Sequence, residues 1–323
     1  MVAIIILNYN NAKDTINCIE SVEKYNSYPS KYIIIDNAST DDSVIQIKKY
    51  LSLRDKTTVG YFKAGDCVNT SAPYMSFIES SINGGYACGN NIALKFIEDD
   101  LDITKILILN NDVLFIQDII PELSLFLDKH EEAAIVSPAL LKKDGINFDY
   151  NCARKNCTSV ELFAVYAFQS RFLWKYISSF AEKRWMIKND PTLLAKDFFE
   201  IELPSGSCMM IKKEVFRQID YFDSRTFLYY EENILFKKIE KKLKKNYMIP
   251  SLRCIHLGGS TTKRTKFSQF QMIQINLAAY TYAKHYSGMN GVSLFVLAVL
   301  YRLCKLRIKL VCFIKNVFTC KGC

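Results

Sequence analysis

Two adjacent carboxylates close an aromatic run at Phe227-Leu228-Tyr229-Tyr230-Glu231-Glu232. A carboxylate beside an apolar wall can serve as a general base, because burial and neighbouring charge tune its hold on a proton. About twenty residues upstream, the small turn Ser205-Gly206-Ser207 leads from Leu203-Pro204 into the apolar stretch Cys208-Met209-Met210-Ile211. A second acidic site, Asn110-Asn111-Asp112, follows the apolar run Ile106-Leu107-Ile108-Leu109. A strand that ends in a carboxylate suits a metal–phosphate site, since Mg²⁺ takes oxygen ligands and usually only one or two from protein carboxylates. His256 follows Leu252-Arg253-Cys254-Ile255 and precedes Leu257 and a Gly-Gly pair, and its imidazole is a candidate further ligand for metal or phosphate. The combination points to an enzyme that moves a sugar from a nucleotide.

These side chains need a frame that brings them to one edge. Residues 2–7 and 32–36 are β-branched apolar runs, each ending in polar residues. Between them, Ile16, Ile19 and Val22 recur at helical spacing within residues 14–25. Strand, helix and strand at this length form a βαβ unit and predict a parallel sheet. Ligands of such sheets sit beyond the C-terminal strand ends. Those ends carry Asn8-Tyr9-Asn10, Asp36-Asn37-Ala38-Ser39-Thr40-Asp41 and Asn110-Asn111-Asp112. A further helix is expected around 43–51, a loop over 54–72, a strand over 73–79, a turn at Asn83-Gly84-Gly85-Tyr86 and a short helix from Asn90 to Ile97.

Asp36 can accept a hydrogen bond from a pyrimidine imide N–H. Asn8, Asn10, Asn91 and Asn110 are the candidates to complete that nucleotide pocket. Plainer readings stay open on the sequence alone: a turn cap for Asp36, a solvated strand end for Asp112, a structural His256, and helix-dipole acids for Glu231 and Glu232.

Half of the 323 residues are hydrophobic, enough for a large core in one domain or one domain with an appendage. The opening apolar run is short and lacks a basic flank, so it reads as a buried strand rather than a signal peptide, and a cytosolic protein is expected. The eleven scattered cysteines suit a reducing compartment, and Cys320-Lys321-Gly322-Cys323 is a lone CxxC without a matching pair close by. The net charge of +9 is concentrated: from Lys284 onward there are seven Lys and Arg and no Asp or Glu. A charge carried by the tail argues against a nucleic-acid surface spread over the domain.

Residues 148–199 hold twelve aromatics, including Trp174 and Trp185. The spacing of Phe163, Tyr166, Trp174 and Ile177 suggests helices, and some of these rings are candidates to stack on a sugar acceptor. The tail from Val292 to Phe318 is apolar with Arg302, Lys305, Arg307, Lys309 and Lys315 interspersed. Its apolar run, Val292 to Tyr301, is too short to span a bilayer. Arg302, Lys305 and Lys309 share one helical face, as in a helix lying on anionic lipid; packing on the domain is the alternative.

The motifs together resemble the family 2 glycosyltransferases, in their rhamnosyltransferase-like branch. Ile6-Leu7-Asn8-Tyr9-Asn10 resembles the family's opening strand. Ile35-Asp36-Asn37-Ala38-Ser39-Thr40-Asp41 is similar to its VDNASTD segment, and Asn83-Gly84-Gly85-Tyr86-Ala87-Cys88-Gly89-Asn90-Asn91 to NxGFAGGNN. Leu109-Asn110-Asn111-Asp112 resembles the LNPD form of the DxD site, Phe227 to Glu232 resembles FLYYED, and His256-Leu257-Gly258-Gly259-Ser260 resembles HxGGS. Their shared order across residues 1–262 implies an α/β, Rossmann-like GT-A domain with a mixed central sheet. A helical insert at 148–199 would face the acceptor, and residues 263–323 would form an amphipathic, membrane-associating helical tail.

The resemblance also implies an inverting transfer from dTDP-rhamnose or a UDP-sugar to a lipid-linked saccharide in bacterial surface-polysaccharide synthesis, O-antigen or capsule. Mg²⁺ or Mn²⁺ would be held by Asp112 and His256, and Glu232 or its rival Glu231 would be the base. The protein would then sit on the inner face of the cell membrane. Two departures stand out: Glu replaces Asp at 232, one methylene further out, and Ile234 stands where the branch often has a second Asp. Galactofuranosyl or N-acetylhexosaminyl transfer on the same fold, or a silent membrane-bound scaffold that keeps the nucleotide pocket, are the alternatives.

Overall fold

The computed structural model describes residues 1–67, 71–167, 182–258 and 269–319. Trp174, Ile177, Gly259, Ser260 and the terminal CxxC, all singled out above, lie outside the described residues. Strands β1 (Val2–Asn8), β2 (Ser30–Asp36), β3 (Val59–Lys63), β4 (Met75–Glu79), β5 (Lys105–Asn110), β6 (Val113–Phe115), β7 (Ala133–Leu141), β9 (Phe199–Ile201), β11 (Cys208–Lys212) and β12 (Lys245–His256) form one mixed sheet. Its order is β3-β4-β2-β1-β5-β11-β7-β12-β6, with β9 added on β12. The half from β3 to β5 is parallel, and β11 reverses direction between β5 and β7. The short pair β8 (Ala153–Arg154) and β10 (Leu203–Pro204) stands apart from it.

Period-two alternation sorts the strand side chains into two layers. Val2, Ile4, Ile6, Tyr32 and Ile34 meet Cys18, Ile19 and Val22 of helix α1 (Ala12–Tyr25), Ile47 and Leu51 of α2 (Ser43–Leu51), and Leu123 and Leu127 of α4 (Ile120–Lys129). Ala3, Ile5, Ile33 and Ile35 meet Ala93, Leu94 and Phe96 of α3 (Gly85–Phe96) on the opposite side. Both faces are covered, so the strands read as continuous apolar runs rather than alternating ones.

The expected loop over 54–72 is corrected by β3. This edge strand is half exposed, and it is held by register pairing to β4 and by Phe62 against Phe96, ring centroids 4.6 Å apart. A two-faced, polar-flanked edge strand carries little apolar signal, which explains the miss. Within 148–199, residues 168–181 lie outside the described residues. Its described residues form helix α5 (Ser159–Ala167), the single turn α6 (Met186–Asn189), two 3₁₀ turns, β8 and the first residue of β9.

Beyond α7 (Lys213–Gln218), helix α8 (Glu231–Glu240) carries the acid pair, followed by β12, α9 (Gln269–Tyr286) and α10 (Gly291–Thr319). The last two helices are not a detached tail. Tyr282, Ala283, Leu297 and Cys304 bury with Ile234 of α8 and with Leu162 and Tyr166 of α5 in a third cluster. No helix among the described residues is long and apolar enough to cross a membrane.

Candidate active site

The parallel register sets Asn8 beside Asp36 and Leu7 beside Asn110, so the three polar strand ends do meet on one edge. Asn8 is fully buried and acts as scaffold there. Its amide donates to Asp36 Oδ1 (2.7 Å) and Ser39 Oγ (3.2 Å), and its carbonyl accepts from the Thr15 hydroxyl (2.8 Å). Asn111 donates to the same Thr15 oxygen at 3.0 Å, which ties the β5–β6 turn to this network. Asp36 is 1% exposed and accepts further from Ser39 N–H (2.9 Å) and Ser39 O–H (2.6 Å).

Asn10 sits at φ 52°, a left-handed conformation that asparagine tolerates better than most residues. Its side-chain oxygen accepts from Thr40 N–H at 2.7 Å and so staples the end of β1 to the loop after β2. Asn91 lies elsewhere on α3. Its amide is engaged at both ends by Phe222, donating to the carbonyl (2.9 Å) and accepting from the N–H (3.1 Å), which anchors the loop ahead of the acid pair.

On the far side of β5, Asn110 donates to Ser207 Oγ at 3.2 Å, and its backbone N–H donates to the Ser207 carbonyl at 2.8 Å. Ser207 Oγ also lies 3.3 Å from His256 Nε2. That same nitrogen is 3.5 Å from Asp112 Oδ1, and Asp112 is 6% exposed. The pairing has a backbone cause: β12 runs antiparallel to β6 with His256 opposite Val113, and Leu257 N–H donates to the Asp112 carbonyl at 2.9 Å. His256 Nδ1 meets Asp149 Oδ2 at 3.1 Å.

Burial alone would push the imidazole pKa down. Asp112 and Asp149 outweigh it and raise the value to about 9, so a cation at Nε2 would have to displace a proton. Among the described residues, no group of three or more His, Cys, Asp and Glu side chains is arranged to cage a metal. One carboxylate and one imidazole nevertheless fit a divalent cation that draws its remaining ligands from a diphosphate.

Glu232 of the acid pair meets the same turn one residue earlier, at Gly206. Gly206 N–H donates to Glu232 Oε1 at 3.1 Å, and the Tyr86 hydroxyl donates to the Gly206 carbonyl at 2.7 Å. A Cβ at Gly206 would lie 2.9 Å from that hydroxyl and 3.1 Å from Glu232 Oε1, so only glycine fits without displacement. Arg154 Nη2 stands 3.5 Å from Glu232 Oε1.

Tyr229 and Tyr230 both adopt left-handed backbone, φ 76° and 66°, immediately before α8. Gly85 presses on the same segment: its added Cβ would fall 2.0 Å from the Phe227 carbonyl oxygen, and Tyr86 N–H donates to that oxygen at 3.0 Å. The turn carrying Gly85 thus locks the aromatic run that presents the acids. The two glutamates end in different places. Glu232 is partly exposed beside Gly206, whereas Glu231 is 6% exposed with an unpartnered Oε1. Burial first, and then the Glu232 charge, raise the Glu231 pKa to about 8.

Four participants escaped sequence reasoning: Ser207, Asp149, Arg154 and Tyr86. Ser207 lay in the turn noted above but had no partner assigned. Asp149 is 107 residues from His256, and no local pattern joins them.

The mixed sheet, with polar strand ends facing an acid-bearing helix, defines a GT-A-type glycosyltransferase fold. The chain belongs to glycosyl transferase family 2, whose family model matches residues 3–220. It is 25% identical over 232 residues to the low-salt glycan biosynthesis hexosyltransferase Agl10 of Haloferax volcanii. That match covers 71% of this chain and 58% of the relative. Among solved structures, the mannosyltransferase PcManGT of Pyrobaculum calidifontis, in complex with GDP-Man and Mn²⁺, superposes with a TM-score of 0.54 at 13% identity, over 95% of this chain and 70% of the other. S. aureus TarS 1–349, in complex with UDP, gives 0.51 at 12% identity over 93% and 70%.

Proposed function

We propose that this protein is an inverting glycosyltransferase that moves a hexosyl group from a nucleoside diphosphate sugar to a hydroxyl of a lipid-linked saccharide. One observation carries the reading. The Ser205-Gly206-Ser207 turn has the Asp112–His256 pair on one side, through Ser207, and the Glu232 carboxylate on the other, through Gly206. A diphosphate beside the pair would place its anomeric carbon toward Glu232.

Asp112 and His256 would hold a divalent cation, which supplies positive charge against the departing nucleoside diphosphate. Glu232 accepts the proton of the acceptor hydroxyl as that oxygen bonds to the anomeric carbon. The bond from that carbon to the diphosphate oxygen breaks, and the electron pair leaves with the diphosphate. Glu231 suits the role of base less well than Glu232, because burial and the Glu232 charge favour its protonated form. Asp36 retains acceptor capacity for a base N–H, with Asn8, Asn10 and Ser39 holding it in place.

The donor reading draws on the family and on relatives solved with UDP or with GDP-Man and Mn²⁺. The motif resemblance favours dTDP-rhamnose or a UDP-sugar. A lipid-linked acceptor of a surface glycan accords with α10, whose outward face carries Val292, Phe295, Val299, Leu303, Leu306 and Leu310 beside exposed Arg302, Lys305, Arg307 and Lys309. Such a face suits the surface of an anionic membrane, with the enzyme peripheral on its cytoplasmic side.

Titration of UDP, dTDP and GDP into wild type and Asp112→Ala, with and without Mn²⁺, tests the reading. Wild type should bind one of the three more tightly with Mn²⁺, and the variant should lose that gain while keeping its fold. Equal, metal-enhanced affinity in both proteins would count against the cation assignment.

A further inference from the structure

Asp149 follows β7 and opens the 3₁₀ turn Tyr150–Cys152. It is held in place from three directions. Its backbone N–H donates to the Leu140 carbonyl at 2.8 Å. Its Oδ1 accepts from Asn151 N–H and from the Asn151 amide, both at 3.1 Å. Its Oδ2 faces His256 Nδ1 at 3.1 Å. The opposite edge of the ring, Nε2, then looks toward Ser207 Oγ and Asp112 Oδ1. Asp149, His256 and Asp112 come from three separate elements, and their side chains are only 19%, 17% and 9% exposed.

Two carboxylates gathered about one imidazole in a crevice are a poor device for stability, because taking charges out of water costs several kcal/mol each. The same arrangement is well suited to orienting a ligand. A histidine that binds a metal through one nitrogen commonly donates its other N–H to a carboxylate, which fixes ring orientation and tautomer.

We propose that Asp149 is a positioning residue for the cation at the diphosphate site, holding the His256 Nδ1–H so that the Nε2 lone pair is presented beside Asp112. The inference rests on the assignment of Asp112 and His256 as cation ligands. It assigns Asp149 a duty beyond capping its own turn. The two duties use different oxygens, so they can be separated. In Asp149→Asn one arm becomes an amide donor. The side chain can still cap Asn151 but cannot also accept from the imidazole.

The test is Mn²⁺ affinity of the full chain, read by electron paramagnetic resonance of free Mn²⁺ at saturating UDP, dTDP or GDP, whichever binds. Asp149→Asn should weaken Mn²⁺ about 10–100-fold, the usual cost of losing such an outer partner. Metal-free nucleotide affinity and the melting temperature should stay as in wild type. Asp149→Ala should show the same loss with a lower melting temperature. In a His256→Ala background, Asp149→Asn should add nothing, because the ring it orients is gone. Wild-type Mn²⁺ affinity in Asp149→Asn, with Asp112→Ala and His256→Ala impaired, overturns the positioning role and leaves the site reading standing. A full additional loss in the His256→Ala background overturns it too. No Mn²⁺ dependence with any of the three nucleotides in wild type overturns both.

Discussion

Glu231 and Glu232 are adjacent in the chain, yet the first turn of α8 sends one into the protein and the other toward the Gly206 turn. Their chemistry should separate accordingly. Glu232→Gln keeps the shape but cannot take a proton, so donor binding should persist while turnover drops roughly a hundredfold or more. Normal turnover in Glu232→Gln with loss in Glu231→Gln would reverse the assignment. Glu231 predicts a stability effect instead. Its folded pKa, about 8, lies above the ordinary 4.5, so the folded protein retains a proton that the unfolded chain releases. Its contribution to stability therefore falls as pH rises from about 4.5 to about 8. Glu231→Gln should be more stable than wild type at pH 8 by on the order of 3 kcal/mol, with the advantage gone near pH 4. Denaturant melts of both proteins across that range provide the check, and parallel pH curves would refute it.

At the scale of the element, α10 presents two faces. Leu297, Cys304 and Ile308 are buried, while an apolar stripe recurs every three or four residues on the side away from the protein. Lys305 and Lys309 flank that stripe, and each basic residue near anionic lipid is worth about 1 kcal/mol. Replacing both by Glu should shift full-length protein from pellet to supernatant in co-sedimentation with anionic vesicles, without altering its melting temperature. High salt should weaken the wild-type association only in part, since the apolar face remains. Unchanged sedimentation of the doubly reversed variant, or no sedimentation of wild type, would leave the face without a lipid role.

For the molecule as a whole, the C-terminal helices are joined to α8, which carries the acid pair. The Tyr282 and Tyr230 rings pack at a tilt, Asn156 donates to the Tyr282 hydroxyl at 2.8 Å, and Asn233 donates to Asn156 at 2.7 Å. Tyr286 donates to Asp223 in the loop ahead of the aromatic run. Truncation after Ser287 removes Leu297, Cys304 and Tyr301 from a shared cluster, and each fully buried apolar side chain is worth about 1.5–3 kcal/mol. The shortened protein should stay folded but melt earlier. Amide exchange should accelerate in α5, which loses its cover, and stay slow in β1 and β2, whose core is elsewhere. Uniform protection in both proteins would mean that α10 contributes nothing to the fold.

Much of this was legible in the chain itself. The apolar runs ending in Asn8, Asp36 and Asn110 specify a parallel sheet with a polar edge, because strand period and burial are local properties of sequence. The helix at 43–51 announced itself in the same way. The edge strand Val59–Lys63 did not, since its pairing rather than its composition makes it a strand. The site divides along the same line. Asp36, Asp112, His256 and the acid pair were visible as residue types after strand ends. Which glutamate is buried, that Asn8 and Asn91 serve as scaffold, and that Asp149, Ser207 and Arg154 join the site were decided only by the tertiary structure. Those contacts join residues far apart in the chain, 28 residues for Asn8 to Asp36 and 131 for Asn91 to Phe222. Periodicity reports what a residue's neighbours in sequence will bury; a proton's affinity for a carboxylate, or a ring's orientation, depends on groups that meet only after the sheet has closed.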